Sequence, residues 1–593
     1  MRWLRISLVL SVLLALACGL NAQRNDARQE RVDPSYIEEA KSKVQEEAET
    51  GSAAPAGQGS PQPTEGIEEI VVGSSIPNAV AQDAPISAVA FDAETLRSQG
   101  AYLASGSARY ARSMEPPPDW NTERYDFVEE EGFLSPGAHP LSTFSIDVDT
   151  ASYSNVRRFL EEGQLPPRGA VRIEELVNYF RYDGDVAPGD HPFAVTTELT
   201  RAPWSGAHLL LRVGLRGVDI EERDLPPRNL VFLLDVSGSM QPRDKLPLVK
   251  RALRELVVRL RAEDHVAMVV YAGASGLVLP PTPGSDAGRI LGALERLQAG
   301  GSTNGGQGIA LAYQVAREHF DPEAINRVIL ATDGDFNVGV TSRSDLVERI
   351  ERERESGVFL SVLGVGRGNL NDAGMEQLAD RGNGNYAYLD GLAEARKVLV
   401  QEAGATLVTI AKDVKIQIEF NPGRVQGYRL IGYQNRRLEN RDFNDDAVDA
   451  GEIGAGHSVT ALYEIVPVGV AVDTGDVDPL KYQRPESLSD EAASDEWLTV
   501  KLRYKLPDGD ESRLLSAVVT GAPRRFESAS ADVRFGGAVA LFGMLLSESD
   551  YAGEASWTSV RELARSGLGE DPDGHRAGFL RLVALARDLD ATR

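Results

Sequence analysis

Cysteine is almost absent from this chain. Its 593 residues include one, Cys18, so no disulfide can form within it. Histidine is sparse too: the seven are scattered and supply no H-E-x-x-H zinc helix. Neither a G-x-S-x-G nucleophile turn nor a Walker loop occurs. Positive charge is in deficit, with 62 Lys and Arg against 89 Asp and Glu and a formal net charge of −27. A phosphate backbone is gripped by clustered cations, so this balance argues against nucleic acid as a partner, and an acidic surface repels anionic lipid as well. No period of roughly 20–50 residues recurs, which argues against a solenoid. The apolar run Ile6–Ala17 is too short to cross a hydrocarbon core of about 30 Å.

That run has another use. Arg2 and Arg5 precede it, and the pattern over residues 1–22 is that of a secretory signal peptide. Cys18 follows directly, in Leu14-Ala15-Leu16-Ala17-Cys18-Gly19. The segment resembles a bacterial lipobox, with Ala15 where leucine is usual. The resemblance implies lipidation of Cys18 and an exported protein, periplasmic or anchored in the outer membrane of a Gram-negative bacterium. Gly19, rather than Asp, resembles default sorting to the outer membrane. Ordinary cleavage after Ala17 or Ala22 is the alternative. Membrane contact is expected only through that lipid, whose hold scales with its buried methylenes.

Residues 23–116 are too charged, or too rich in Gly, Ala, Pro, Ser and Gln, to offset the entropy of ordering, and read as disordered linker. Within them, Ile67-Glu68-Glu69-Ile70-Val71-Val72-Gly73, Gln82-Asp83-Ala84-Pro85 and Phe91-Asp92-Ala93-Glu94 resemble a TonB box and the start of a receptor plug, over 67–100. That resemblance implies contact with TonB. A strand and short helix with no such partner is the alternative.

From Trp120 the periodicities sharpen. Residues 117–225 read as a small α/β module, with strands at 141–150, 193–199 and 208–215 and helices at 152–162 and 173–180. Over 228–404 strands and helices alternate. The continuous apolar run Leu230-Val231-Phe232-Leu233-Leu234 suits a strand buried on both faces. Lys245–Arg261 carries a single apolar stripe, as an amphipathic helix does. The alternation predicts a Rossmann-like, doubly wound, mostly parallel α/β sheet. Residues 405–593 predict a C-terminal β-rich domain closed by helices at 533–546, 557–566 and 577–589.

In an open parallel sheet, ligands bind at the carboxyl ends of the strands. There the first strand delivers Asp235-Val236-Ser237-Gly238-Ser239, a later glycine-rich loop offers Thr303, and the strand 327–332 ends in Asp333-Gly334-Asp335. Together these resemble the metal-ion-dependent adhesion site of von Willebrand factor A domains: Asp235, Ser237 and Ser239 match D-x-S-x-S, with Thr303 the threonine and Asp333 the second aspartate. The resemblance covers about 170 residues. It implies Mg²⁺, or Mn²⁺ or Ca²⁺, held by Ser237, Ser239 and Thr303 directly or through water, with Asp235 and Asp333 acting largely through water or on the hydroxyls. Magnesium favours octahedral oxygen at about 2.0–2.1 Å and retains waters. Neutral hydroxyls leave it residual charge, which would attract an Asp or Glu of a partner protein. The alternative is structural: Asp235 capping a helix turn and the serines bonding backbone amides.

Ser142–Tyr153 and Phe443–His457 are similar to hallmark segments of the bacterial YfbK-like family, which sets an A domain between an N-terminal module and a C-terminal domain. Asp147-Val148-Asp149-Thr150 also resembles a haloacid-dehalogenase nucleophile strand, but no matching sheet surrounds it. The expected function is therefore a non-enzymatic, metal-dependent protein–protein interaction module with no catalytic residue. The alternatives are a hydrolase with its chemistry in the flanking domains and a structural envelope protein.

Overall fold

The computed structural model describes residues 123–593 except 128, 183–189, 304, 335–342, 403–407, 447, 449, 476–487 and 508. The expectations for the signal segment 1–22, Cys18, the linker 23–116 and the TonB-like stretch 67–100 fall outside these residues. So does Asp335.

In chain order the N-terminal elements are β1 (Leu141–Ser145), α1 (Ala151–Glu161), α2 (Ile173–Asn178), β2 (Phe193–Ala202) and β3 (Ser205–Gly217). The middle of the chain supplies β4 (Arg228–Asp235), α3 (Leu246–Val257), β5 (His265–Tyr271), β6 (Ser275–Pro283), α4 (Ala287–Arg296) and α5 (Gly305–Glu318). It continues through β7 (Ile325–Thr332), α6 (Arg343–Glu355), β8 (Phe359–Val365), α7 (Asp372–Arg381), β9 (Tyr386–Leu389) and α8 (Leu392–Arg396). Then come β10 (Thr409–Phe420), β11 (Val425–Ile431), β12 (Ile453–Gly454), β13 (Ser458–Pro467), β14 (Glu496–Lys505) and β15 (Arg513–Thr520). Three helices, α9 (Ala531–Leu546), α10 (Trp557–Ser566) and α11 (His575–Asp590), close the chain.

Successive residues of a strand face opposite ways, and β4 uses both directions. Leu230, Phe232 and Leu234 enter the core beneath α3, α4 and α8. Val231 and Leu233 enter the core beneath α5, α6 and α7. All eight residues of β4 are buried, as a central strand between two helical layers requires. The sheet order is β6-β5-β4-β7-β8-β9. It is parallel except for β6, which pairs antiparallel at the edge. This is the doubly wound α/β sheet expected over 228–404.

The flanking segments correct the expected domain division. Residues 117–225 do not close a unit of their own. Strand β1 pairs with β10, which also pairs with β12 and β14, and β15 completes that sheet. Strands β2 and β3 join a second sheet in the order β11-β13-β3-β2. Both sheets are antiparallel, and their facing side chains form one core, from Phe144, Ile416 and Phe420 to Leu211, Val213 and Tyr463. The physical reason is edge satisfaction. A β2–β3 hairpin has bare backbone on both sides, and β13 covers one of them in register from Ser458↔Arg216 to Ile465↔Leu209.

The other face of the second sheet lends Leu210, Ile431 and Leu462 to a helical layer built on α2, α9, α10 and α11. Helix α9 is apolar all round, with 13 of its 16 residues buried, as a helix enclosed by neighbours must be. Helix α1 bridges this layer and the α/β sheet: Ala151 lies in one core, and Tyr153, Val156 and Leu160 in the other. Asp149, in the dehalogenase-like segment, accepts a hydrogen bond from the Tyr386 backbone N–H at 2.7 Å and faces Arg436 at 3.4 Å. It pins β9 in place. No helix of the described residues is long and apolar enough to cross a membrane.

Candidate metal centre

Strands β4, β5 and β7 run parallel and in step, with Asp235 opposite Tyr271 and Leu234 opposite Ala331. Their carboxyl ends therefore finish at one sheet edge. Asp235 is fully buried there. Its Oδ1 accepts from the Ser237 backbone N–H at 2.9 Å. Its Oδ2 accepts from the Tyr271 and Thr332 hydroxyls, each at 3.2 Å. Burial pushes the Asp235 carboxyl up to about 6; the nearby Asp333 charge adds to this, while hydrogen bonds from Ser237 and Thr332 pull the other way.

The Ser237 side chain caps no backbone amide among the described residues. The Ser237 and Ser239 hydroxyl oxygens lie 3.0 Å apart, with Ser237 buried and Ser239 half-buried. Gly238 between them is exposed, and its N–H donates to the Gly301 carbonyl at 3.0 Å. The Gly300 N–H in turn donates to the Val236 carbonyl at 2.8 Å. A Cβ on Gly238 would stand 3.3 Å from the Gly301 oxygen, so a side chain there would require the Gly301 carbonyl to yield by a few tenths of an ångström. These two bonds seat the glycine-rich loop against the Asp235 loop. Thr303, two residues further on, is half-buried.

Asp333 is the fifth of the expected residues at this edge, fully buried and bonded at 2.9 Å by the Lys245 ammonium. Burial raises its pKa, but Lys245 and hydrogen bonds from Asn369 and Ser239 outweigh that and hold it below the usual carboxylate range. Of the five residues expected from sequence, Asp235, Ser237, Ser239 and Asp333 are thus joined by hydrogen bonds or charge, and Thr303 lies on the loop tied to them. Sequence reading missed Tyr271, Thr332, Lys245 and Asn369. Thr332 stands within the T-D-G turn and could have been flagged; Lys245 was absorbed into a helical stripe, and the other two carry no local signal.

The donor set fits a hard divalent cation. Two hydroxyl oxygens already sit side by side, and two buried carboxylates with unequal proton affinities flank them. With the Lys245 ammonium bonded to Asp333, the two carboxylates offer a divalent ion one net negative charge, short of its two. Among the described residues no group of three or more His, Cys, Asp or Glu forms an all-carboxylate or imidazole cage.

Comparison with known proteins identifies the family of the fold. Residues 229–401 match the von Willebrand factor type A domain. Residues 119–212 match a family described as von Willebrand factor, and 405–589 match "Uncharacterized protein YfbK, C-terminal". The Escherichia coli K12 protein described as "Uncharacterized protein YfbK" is 45% identical over 472 residues, 78% of this chain and 81% of that one. Human inter-alpha-trypsin inhibitor heavy chain H2 is 28% identical over 151 residues, 24% of this chain and 16% of its own. The crystal structure of BatB from Bacteroides thetaiotaomicron is 27% identical, covering 30% of this chain and 97% of its own, at a TM-score of 0.26. With an A-type sheet, a matching C-terminal family and this identity across most of both chains, the protein belongs to the bacterial YfbK family of von Willebrand factor type A proteins.

Proposed function

We propose that this chain is a protein–protein interaction module that holds Mg²⁺ at Asp235, Ser237, Ser239, Thr303 and Asp333 and uses it to grip an Asp or Glu of a partner protein. The observation that carries the reading is the hydroxyl pair at 3.0 Å, flanked by two buried carboxylates at the carboxyl ends of adjacent parallel strands. Bound there, the cation supplies a Lewis-acidic position open to an incoming carboxylate. The chain's own residues do the rest. Tyr271, Thr332 and the Ser237 amide fix the Asp235 carboxylate, and the Gly301 contact fixes the loop bearing Ser237 and Ser239. A carboxylate held by three donors cannot swing away when the ion leaves, so the site is organised before loading. Exposed Gly238 and half-buried Ser239 keep the edge accessible to a partner.

The same reading puts the protein in the cell envelope, exported by its N-terminal signal and held there by a lipid on Cys18, and treats it as a binding protein rather than an enzyme. Titration calorimetry with MgCl₂ and MnCl₂ tests the metal: wild-type protein binds about one ion, and Asp235→Ala loses at least tenfold in affinity. Crosslinking pull-downs from envelope fractions then compare Mg²⁺, EDTA and Asp235→Ala. Identical captured sets in all three would overturn the adhesion reading, and mass spectrometry of the mature N-terminus checks the lipid.

A further inference from the structure

The lysine at the metal edge is the feature that the proposed function leaves unused. Lys245 is 5% exposed, unusual for a residue type that is almost never buried unless paired. Its Nζ donates to Asp333 Oδ2 at 2.9 Å and to Asn369 Oδ1 at 2.8 Å. The backbone makes room for it. Gly366 has φ +79°, and a Cβ there would stand 2.3 Å from Lys245 Cγ and Cε, so only glycine lets the aliphatic stem pass. The loop that forms this channel is braced at both ends. The Tyr388 hydroxyl donates to the Gly366 carbonyl at 2.9 Å, and the Gly368 N–H donates to Glu123 Oε1 at 2.9 Å. Glu123 is itself paired with Arg158 of α1 at 2.9 Å. A flexible four-carbon chain is thus guided to one carboxylate oxygen.

Resting on the metal reading above, we infer that Lys245 sets the charge of the adhesion site: by holding Asp333 it weakens the grip on the divalent ion and keeps the loaded site net positive toward a partner carboxylate. Asp235, Asp333 and Lys245 together carry one negative charge when Asp235 is ionised. A divalent cation turns that into one positive charge. Without the lysine the loaded site would be neutral, and the metal would meet a less committed Asp333. In water a unit charge and a divalent ion about 5 Å apart repel by more than 1 kcal/mol, about tenfold in a binding constant. Arg at this position would keep the charge; Met would keep the packing along Gly366 and lose the charge.

The test uses the full chain and Mn²⁺ alone, by calorimetry, with circular dichroism melts to verify folding. Lys245→Met is expected to bind Mn²⁺ about tenfold more tightly than wild type, while Lys245→Arg stays within about threefold. Damage to the fold would move affinity the other way. In a second arm, glutarate is titrated into the Mn²⁺-loaded proteins and followed by water-proton relaxation. Wild type loses relaxivity as carboxylate displaces water, and Lys245→Met requires several-fold more glutarate. Should Lys245→Met not fold, Lys245→Gln is judged by the same readouts. Unchanged or weaker Mn²⁺ binding in a folded charge-removed variant overturns the inference, as does an arginine variant as tight as the methionine one. Failure of wild type to bind Mn²⁺ would instead overturn the metal reading, and this inference with it.

Discussion

At the scale of single residues, the centre depends on how few ways each group can be satisfied. Asp235 is buried, and among the described residues three neutral donors hold its oxygens. Asp333 is buried against a cation. The two carboxylates are chemically alike, yet their environments push them apart, one up to about 6 and the other below its ordinary range. Gly366 offers a direct check on the lysine channel. Gly366→Ala places a side chain at φ +79° and against Lys245; left-handed backbone and overpacking together are expected to cost about 2–4 kcal/mol. Urea denaturation monitored by tryptophan fluorescence reads this, and an unchanged midpoint would show that the loop relaxes freely. The candidate positions Asp235, Ser237, Ser239 and Asp333 were legible in sequence because Asp235-Val236-Ser237-Gly238-Ser239 and Thr332-Asp333-Gly334 are local strings. Lys245 was not, because its partner Asp333 lies 88 residues away.

At the scale of elements, helix α7 shows how a surface element becomes a joint. It points Glu376 and Asp380 at Arg436, which lies beyond β11 and also meets Asp147 and Asp149. Four carboxylates around one guanidinium exceed what it can neutralise; Arg172 and Glu175 also act on Glu376. Burial, reinforced by Asp147, pushes the Asp380 carboxyl up to about 7 from an ordinary 3.8. The folded chain therefore holds a proton that the unfolded chain releases. That contribution to stability is fully present below pH 3.8 and is lost as pH rises through about 7. Asp380→Asn is expected to flatten the fall in stability across that window by up to about 4 kcal/mol, read from denaturation midpoints at several pH values. An unaltered slope would assign the pH dependence elsewhere. Strand positions were largely legible from their period of two. Strand β15 was not, because its apolar residues come in adjacent pairs, Leu514-Leu515 and Val518-Val519, and leave Leu514 and Val518 about half exposed. Helix α8 runs on into a π-helical turn, Lys397–Gln401. There Lys397 sits 4.2 Å from the Tyr179 ring, a tertiary contact with no trace in local sequence.

At the scale of the whole molecule, the A domain is an insertion. The Val218 carbonyl accepts from Gly456 N–H at 2.8 Å, and the Val408 carbonyl accepts from Ala455 N–H at 2.9 Å. The points where the chain leaves and re-enters the sandwich therefore meet on one short segment, as expected of a domain that folds as a unit within another. The sandwich cannot form until both ends of the chain are present. Truncation after residue 404 removes the partner of β1 and leaves β3 paired with β2 alone. Limited trypsin digestion of that fragment is expected to clear residues 123–217 rapidly and leave the α/β sheet. Survival of the N-terminal strands would show that they are stable alone. All described residues belong to one compact unit, and α1, packed against β9 and α11 alike, carries much of that continuity.

The sequence by itself determined the alternation of strands and helices over 228–404, and it singled out a candidate site at the strand ends, four of whose residues the fold links by hydrogen bonds or charge, together with the loop bearing Thr303. These depend on short-range periodicity and on residues a few positions apart, where side-chain direction follows from backbone geometry. Only the tertiary structure decided that the two flanking segments share two sheets and that a buried lysine answers Asp333. Strand partners hundreds of residues apart are chosen by which edge remains unpaired and which apolar faces match, and neither is encoded in any one stretch of chain.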